Sequence, residues 1–332
     1  MLTYSVAIRT LGRSPNTLRK ELVSLHAQTV KPKEIIIYIA QGCQRPDFTI
    51  GIEQYVFTDK GMVAQRAVPY NEISSEYILL LDDDVAFETD SIERVLKLME
   101  VYEADCIAYD TFENHKMPII SKVKAAISGL VFPRFNKKWA FKIHWNDTFS
   151  YINNPGCGCY RSMSAAGPAA LWKKKSLINM HFEDELWLDK LGFAYGDDGL
   201  EFYKLHLNGG KLMVTFDSGV INLDAKTASS CYQNNPQKFY VMAKALTIRW
   251  HRMHFKPARS KIIRFLKIIS FFSRLLWQLT ILLVVSSSKS YRNAPYHFIK
   301  GLSSGFQFIK SSEYKAIPSY LQETAIKSMF KS

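Results

Sequence analysis

The chain has 332 residues and a mass of 38.1 kDa, enough for one large α/β domain with an extension, or for two domains. Apolar residues make up 47% and aromatics 13%, which excludes global disorder; no glycine-rich, proline-rich or repeated stretch supports a collagen-like chain or a solenoid. The net charge of +13 is unevenly placed: residues 236–332 carry 17 Lys and Arg against Glu313 and Glu323, whereas residues 1–235 sum to −2. That asymmetry predicts a nucleic acid or a membrane surface as partner for the tail. Five scattered cysteines, Cys43, Cys106, Cys157, Cys159 and Cys231, fit a reducing compartment better than a disulfide framework. The opening ten residues lack the basic start and apolar run of a signal peptide, so a cytoplasmic protein is expected.

Strands and helices alternate through the first part. Tyr4–Ile8 alternates like a half-buried strand, and Ser14-Pro15 then reads as a helix start, with Leu18, Leu22 and Leu25 at helical spacing. Glu34–Ile39 is a continuous β-branched strand, Gln54–Phe57 a weaker one, and Gly61–Arg66 begins a helix. Tyr77–Leu81 is a buried strand that ends in Asp82-Asp83-Asp84. Asp90-Ser91 opens a helix carrying Ile92, Val95, Leu96 and Met99, and Cys106–Tyr109 is the next strand. This alternation predicts a mostly parallel sheet flanked by helices. Ligands bind such sheets beyond the carboxyl ends of the strands, where the three aspartates fall.

Residues 114–160 are rich in Lys, Arg, Trp and Phe and hold one acid, Asp147. Ala169–Trp172 then reads as a strand, a helix follows Ser176, Gly196-Asp197-Asp198 opens a helix that ends at Gly209-Gly210, and Lys211–Phe216 is a strand. Lys261–Val285 is apolar almost throughout, but Lys261, Arg264, Lys267, Arg274 and Gln278 fall on one helical stripe.

Two acidic clusters carry the chemical signal. Three adjacent carboxylates at a strand end repel one another, and a Mg²⁺ or Mn²⁺ ion with oxygen ligands would compensate them and bind a diphosphate. Asp198, at a helix start, is placed to accept a proton. Other features point to structure rather than chemistry: Cys157 and Cys159 lack a second pair at zinc spacing, His181–Glu185 reads as an acidic loop or acceptor-facing patch, and His251 and His254 read as surface or headgroup contacts.

Arg9–Arg13 after the first strand, Leu25–Thr29 with Pro32, the Asp82-Asp83-Asp84 triplet and Gly196-Asp197-Asp198 together resemble the landmarks of family 2 glycosyltransferases, in order, over residues 3–255. The resemblance implies a GT-A fold and an inverting transferase that uses a nucleotide-diphospho-sugar, with a UDP-sugar the expected donor. It implies that Thr10 and Arg13 hold the nucleoside, that Arg66 reaches the diphosphate, and that Asp82 and its neighbour Asp83 contact the donor, Asp82 on the ribose side. Asp84 would coordinate the Mn²⁺ or Mg²⁺ ion, with Asp82 near it. Asp198 would be the general base and Asp197 the neighbour able to share that role. The chain departs from the family in having Gln41 where an aspartate meets the nucleobase and Arg9 where the first loop has proline. It also lacks a late histidine ligand, for which Asn222 or Asp224 could substitute.

The expected organisation is a transferase domain over residues 1–235 and a basic, amphipathic helical region over 236–332. For Lys261–Val285 three readings stand: a membrane span, a helix in the plane of an anionic membrane with its basic stripe on the headgroups, and a helix packed on the catalytic domain. The in-plane reading is favoured, because Arg274 in mid-span is costly. The protein is thus expected on the cytoplasmic face of the cell membrane as a peripheral protein, transferring sugar to a saccharide or lipid-linked acceptor in bacterial surface polysaccharide synthesis, with no nucleic acid. A haloacid-dehalogenase-like phosphatase, or a membrane-bound scaffold with a degenerate transferase domain, is the alternative.

Overall fold

The computed structural model describes residues 2–111, 135–192, 196–217, 219–223, 237–287 and 291–320. Thirteen strands are described: β1 Tyr4–Thr10, β2 Ile35–Ala40, β3 Glu53–Thr58, β4 Tyr77–Asp82, β5 Val85–Phe87, β6 Cys106–Tyr109, β7 Phe135–Asn136, β8 Phe141–Ile143, β9 Phe149–Ile152, β10 Cys159–Arg161, β11 Ala169–Lys173, β12 Leu212–Thr215 and β13 Val220–Asn222. The helices are α1 Pro15–His26, α2 Ser91–Tyr102, α3 Lys174–Asn179, α4 Asp197–Leu207, α5 Gln237–Trp250, α6 Lys261–Val285, α7 Ala294–Lys310 and α8 Ser312–Ala316.

Eight strands form the central sheet in the order β10-β12-β6-β11-β4-β1-β2-β3. Four of its seven pairings are parallel, as the alternation predicts; β11 runs antiparallel between β4 and β6, and β10 antiparallel at the edge. Both faces are covered. Ile35, Ile37 and Ile39 enter one apolar cluster with the α1 and α2 leucines and valine, while Ile36 and Tyr38 enter the other with Trp172 and Phe202. This explains why β2 and β4 are continuously apolar. It also corrects the half-buried reading of β1: all seven residues are buried, because the Ser5 hydroxyl is satisfied by Ser75 Oγ at 2.7 Å and by Glu34.

α1 and α2 begin where expected, and the helix expected from Gly61 does not form. Ser14 and Asp90 flank α1 and α2 but make no side-chain cap bond; the Asp90 carboxylate pairs with Arg94 instead. Gly61–Ala67 is a set of turns rather than a helix, its first amides held by Asp189, which accepts from Val63 N at 3.0 Å and Ala64 N at 2.9 Å. A carboxylate at that end does the capping work without the chain needing a full helical run.

The tail is not a separate basic arm. Ala245, Ile248, Met253, Tyr314 and Tyr320 belong to the main apolar cluster, and two buried acids of the sheet region hold tail arginines. Asp147 accepts from Arg249 Nε at 3.0 and 3.2 Å. Glu185 accepts from Arg252 Nε at 2.8 Å and from Trp187 Nε1 at 2.7 Å. Glu185 is therefore a structural anchor rather than part of an acceptor-facing loop. The histidines are corrected too: His254 is buried 3.7 Å from Asp147, and His251 Nδ1 bonds Tyr314 Oη at 2.6 Å.

Candidate functional site

The parallel register of β1 and β4 sets Arg9 beside Asp82, so their carboxyl ends deliver Thr10 and the aspartate triplet to one edge. Arg9 Nε pairs with Asp82, its Nη2 donates to Gly167 O at 3.0 Å, and the Thr10 hydroxyl donates to Asp83. Gly167 in turn lies directly against Asp198, where a Cβ would collide with the carboxylate. The second cluster thus stands next to the first: Arg9 and Gly167 link residues 82–84 to residues 197–201.

Arg66 closes the arrangement. Its side chain is 1% exposed; Nη1 lies 2.9 Å from Asp197 and 3.2 Å from Glu201, and Nη2 pairs with Asp198. The guanidinium expected at the diphosphate is therefore occupied by three carboxylates of α4, and to reach a phosphate it would have to leave them. Asp198 is the accessible member, with 37% of its side chain exposed against 10% for Asp197.

Electrostatics separate these acids. Burial pushes the Asp198 pKa up, but Arg66 and then Arg9 outweigh it and hold the group below the usual range. For Asp197, burial and the adjacent Asp198 win over Arg66 and raise the pKa. Burial raises Glu201 to about 7 despite Arg66 and Arg9. Asp83 is raised to about 6 by burial, against the Thr10 hydrogen bond and with Asp82 and Asp84 adding repulsion. One low and several raised carboxylates in one cluster is the pattern of a site that divides acid and base roles.

Arg13 and Gln41 lie at the same sheet edge with exposed side chains, Gln41 just past the end of β2. Gly12, at φ +66°, lets the β1 loop approach the Gln44 carbonyl, so the two loops touch. Asn222, at the end of β13, is exposed and pairs with Val85, and Leu223 N donates to Asp84 O at 2.8 Å; Asp224 itself lies outside the described residues.

Among the described residues no group of three His, Cys, Asp or Glu side chains is arranged as a protein-only metal cage. The donor set is nonetheless hard carboxylate oxygen at Asp82–Asp84. It fits a Mg²⁺ or Mn²⁺ ion held by one or two carboxylates that takes its remaining ligands from water and substrate phosphates.

The sequence reading gave Arg9 and Glu201 only secondary places in the site and missed Glu21. Arg9 was legible only as a departure from a motif, and Glu201 only as a late member of the α4 acidic run. Glu21 gave no signal, since on the α1 pattern it is one more polar residue; it is fully buried beneath the triplet. Burial and repulsion from Asp83, Asp84 and Asp82 raise its pKa well above the usual carboxylate range, opposed by the Val85 amide. A carboxyl whose folded pKa is raised costs nothing below its unfolded value near ~4.3 and destabilises progressively as pH rises toward the folded value. Glu21→Gln is therefore expected to be more stable than the parent at pH 8, with the difference shrinking as pH falls toward 4. Denaturant unfolding in chelator-treated buffer at the two pH values checks this.

No protein-family model matches the chain, and no curated protein sequence matches it. Among solved structures, it is similar to S. aureus TarS at 12% identity and a TM-score of 0.48, covering 82% of this chain and 43% of that one. It is also similar to S. aureus TarS 1–349, at 11% identity and 0.49, covering 92% of this chain and 89% of that one. A third is GalNAc-T7 crystallised with UDP, GalNAc and Mn²⁺, at 13% identity and 0.47, covering 84% of this chain and 57% of that one. The chain thus spans less than half the length of the first of these.

Proposed function

We propose that the protein is an inverting glycosyltransferase of GT-A type, moving a sugar from a nucleotide-diphospho-sugar, a UDP-sugar by preference, to a hydroxyl of a saccharide or lipid-linked acceptor. The observation that carries the reading is the meeting of Asp82–Asp84 with Asp197, Asp198 and Glu201 at one sheet edge, with Arg9 and Arg66 between them. A donor with a diphosphate needs its leaving group neutralised on one side, and an acceptor hydroxyl needs a base on the other.

In this reading Thr10, Arg13 and Gln41 line the nucleoside end, and Asp82 and Asp83 fix the β1 and β4 loops through Arg9 and Thr10. Asp84, with Asp82, would hold the divalent ion, which when bound supplies charge neutralisation at the diphosphate. Asp198, kept ionised by Arg66, takes the acceptor proton on its carboxylate. Asp197, tied to the same guanidinium, stays behind it, and back-side attack inverts the anomeric centre.

A nucleotide-sugar panel tested for thermal stabilisation, with and without Mn²⁺ or Mg²⁺, is the direct test, since ligand binding to the folded state raises the melting point. A metal-dependent rise with one donor is expected, and Asp84→Ala should lose the metal-dependent part. No stabilisation by any donor, together with phosphate release from a generic phosphomonoester, would replace this reading with the phosphatase.

A further inference from the structure

The basic stripe of α6 is divided: Arg274 turns into the protein and Lys267 is half-buried, while Lys261 and Arg264 at its start are exposed, and the apolar face points outward, so the stripe does not face headgroups along its length. Arg274 is buried, and its Nη1 donates to Asn146 O at 2.7 Å and lies 3.5 Å from Asp147. Lys267 Nζ donates to His254 O at 2.9 Å and Arg264 Nε to Ala258 O at 2.6 Å. Phe271, between them, stacks on Trp250 with ring centroids 4.1 Å apart. Held at these points, α6 packs on the protein; it is long and apolar enough to cross a membrane, but a crossing would pull mid-helix Phe271 and Arg274 away from Trp250, Asn146 and Asp147.

The opposite face is a stripe of exposed apolar side chains running the length of the 25-residue helix, roughly 37 Å. It includes Ile262 at 72%, Phe265 at 61% and Leu276 at 68% exposure, with Ile269, Phe272 and Leu283 between and beyond them. The hydroxyls on this face are turned back onto the helix: Ser273 Oγ donates to Ile269 O at 2.9 Å and Thr280 Oγ1 to Leu276 O at 3.0 Å. The stripe therefore presents no hydroxyl proton that needs water, as a surface buried in hydrocarbon must not. Cations stand at its two ends in the chain, exposed Arg259 and Lys261 before it and Arg292 and Lys300 after it. The one acid among the described residues of 237–320, Glu313, is paired with Lys190.

We infer that this face is a membrane-docking surface: α6 inserts its outward apolar stripe into the interface of an anionic bilayer, with the inward cations fixing the helix to the protein and the end cations meeting headgroups. The apolar stripe supplies most of the binding, and charge supplies the preference for anionic lipid. The inference does not depend on the proposed reaction, and its test measures no turnover.

The test is co-sedimentation of the full chain with vesicles of phosphatidylcholine alone or with 30% phosphatidylglycerol. The parent is expected to bind the anionic vesicles and to remain largely bound in 1 M salt, where the Debye length is ~3 Å. Exchanging Phe265, Ile269 and Leu276 together for Glu should weaken binding by at least ~10²-fold, with an unchanged melting temperature showing that the fold is intact. Complete release of the parent by salt would overturn the inference. So would undiminished binding of the variant, or a parent that ignores vesicles and forms a dimer that the variant abolishes.

Discussion

Asp198→Asn is expected to lower sugar-transfer turnover by at least ~10²-fold while donor affinity stays within about twofold. Asparagine keeps the shape and can still accept from Arg66, but it cannot take a proton. The packing should survive, because Arg66 keeps Asp197 at 2.9 Å and Glu201 at 3.2 Å. Asp198 is the acid of the cluster whose pKa is held down and whose side chain reaches solvent, so it is ionised and accessible across the neutral range. Steady-state kinetics with donor titration separates the outcomes. Near-parental turnover would move the proton-accepting role to Asp197 or to Glu201, and parallel Asp197→Asn and Glu201→Gln variants would show which.

The elements that set the sheet were legible because their period is local. Unbroken apolar runs through β2 (Ile35–Ala40) and β4 (Tyr77–Leu81) mean two covered faces, and Asp82-Asp83-Asp84 ends one such run directly. Arg9 was harder: its meaning lies in a pairing with Asp82 that only the strand register supplies. The α6 stripe shows a different limit. A helical period of charge defines a face, but the same period arises whether that face meets headgroups or buried carboxylates. What decides is the partner, and for Arg274 the partners are Asn146 and Asp147, more than a hundred residues earlier in the chain. Part of the apparent demand of the basic tail for an outside anion is met inside the fold, where Arg249, Arg252 and Arg274 meet Asp147 and Glu185.

Asp147→Asn is accordingly expected to cost about 3–5 kcal/mol of folding stability, the range for removing one charge from a buried pair. Asp147 is fully buried, and Arg249, Arg274 and His254 all face its carboxylate. Burial alone would raise its pKa; Arg249 first, then His254 and Arg274, instead hold it far below the usual carboxylate range. A depressed folded pKa contributes stability that is present above the unfolded value near ~3.9 and is lost as pH falls below it. The parent should therefore lose stability in acid more steeply than the variant, and the two unfolding curves should converge there. Asparagine is the informative replacement because the backbone at this position has φ +64°, a conformation asparagine tolerates as well as aspartate does. The loss then reports the charge and not the turn. As a control, Glu93→Gln, which removes the charge facing Lys97 on the surface of α2, should leave the unfolding curve close to that of the parent. If Asp147→Asn matched that control, the tail would be held by its apolar contacts around Trp250 and Phe271, and the buried ion pairs would serve only to orient α6.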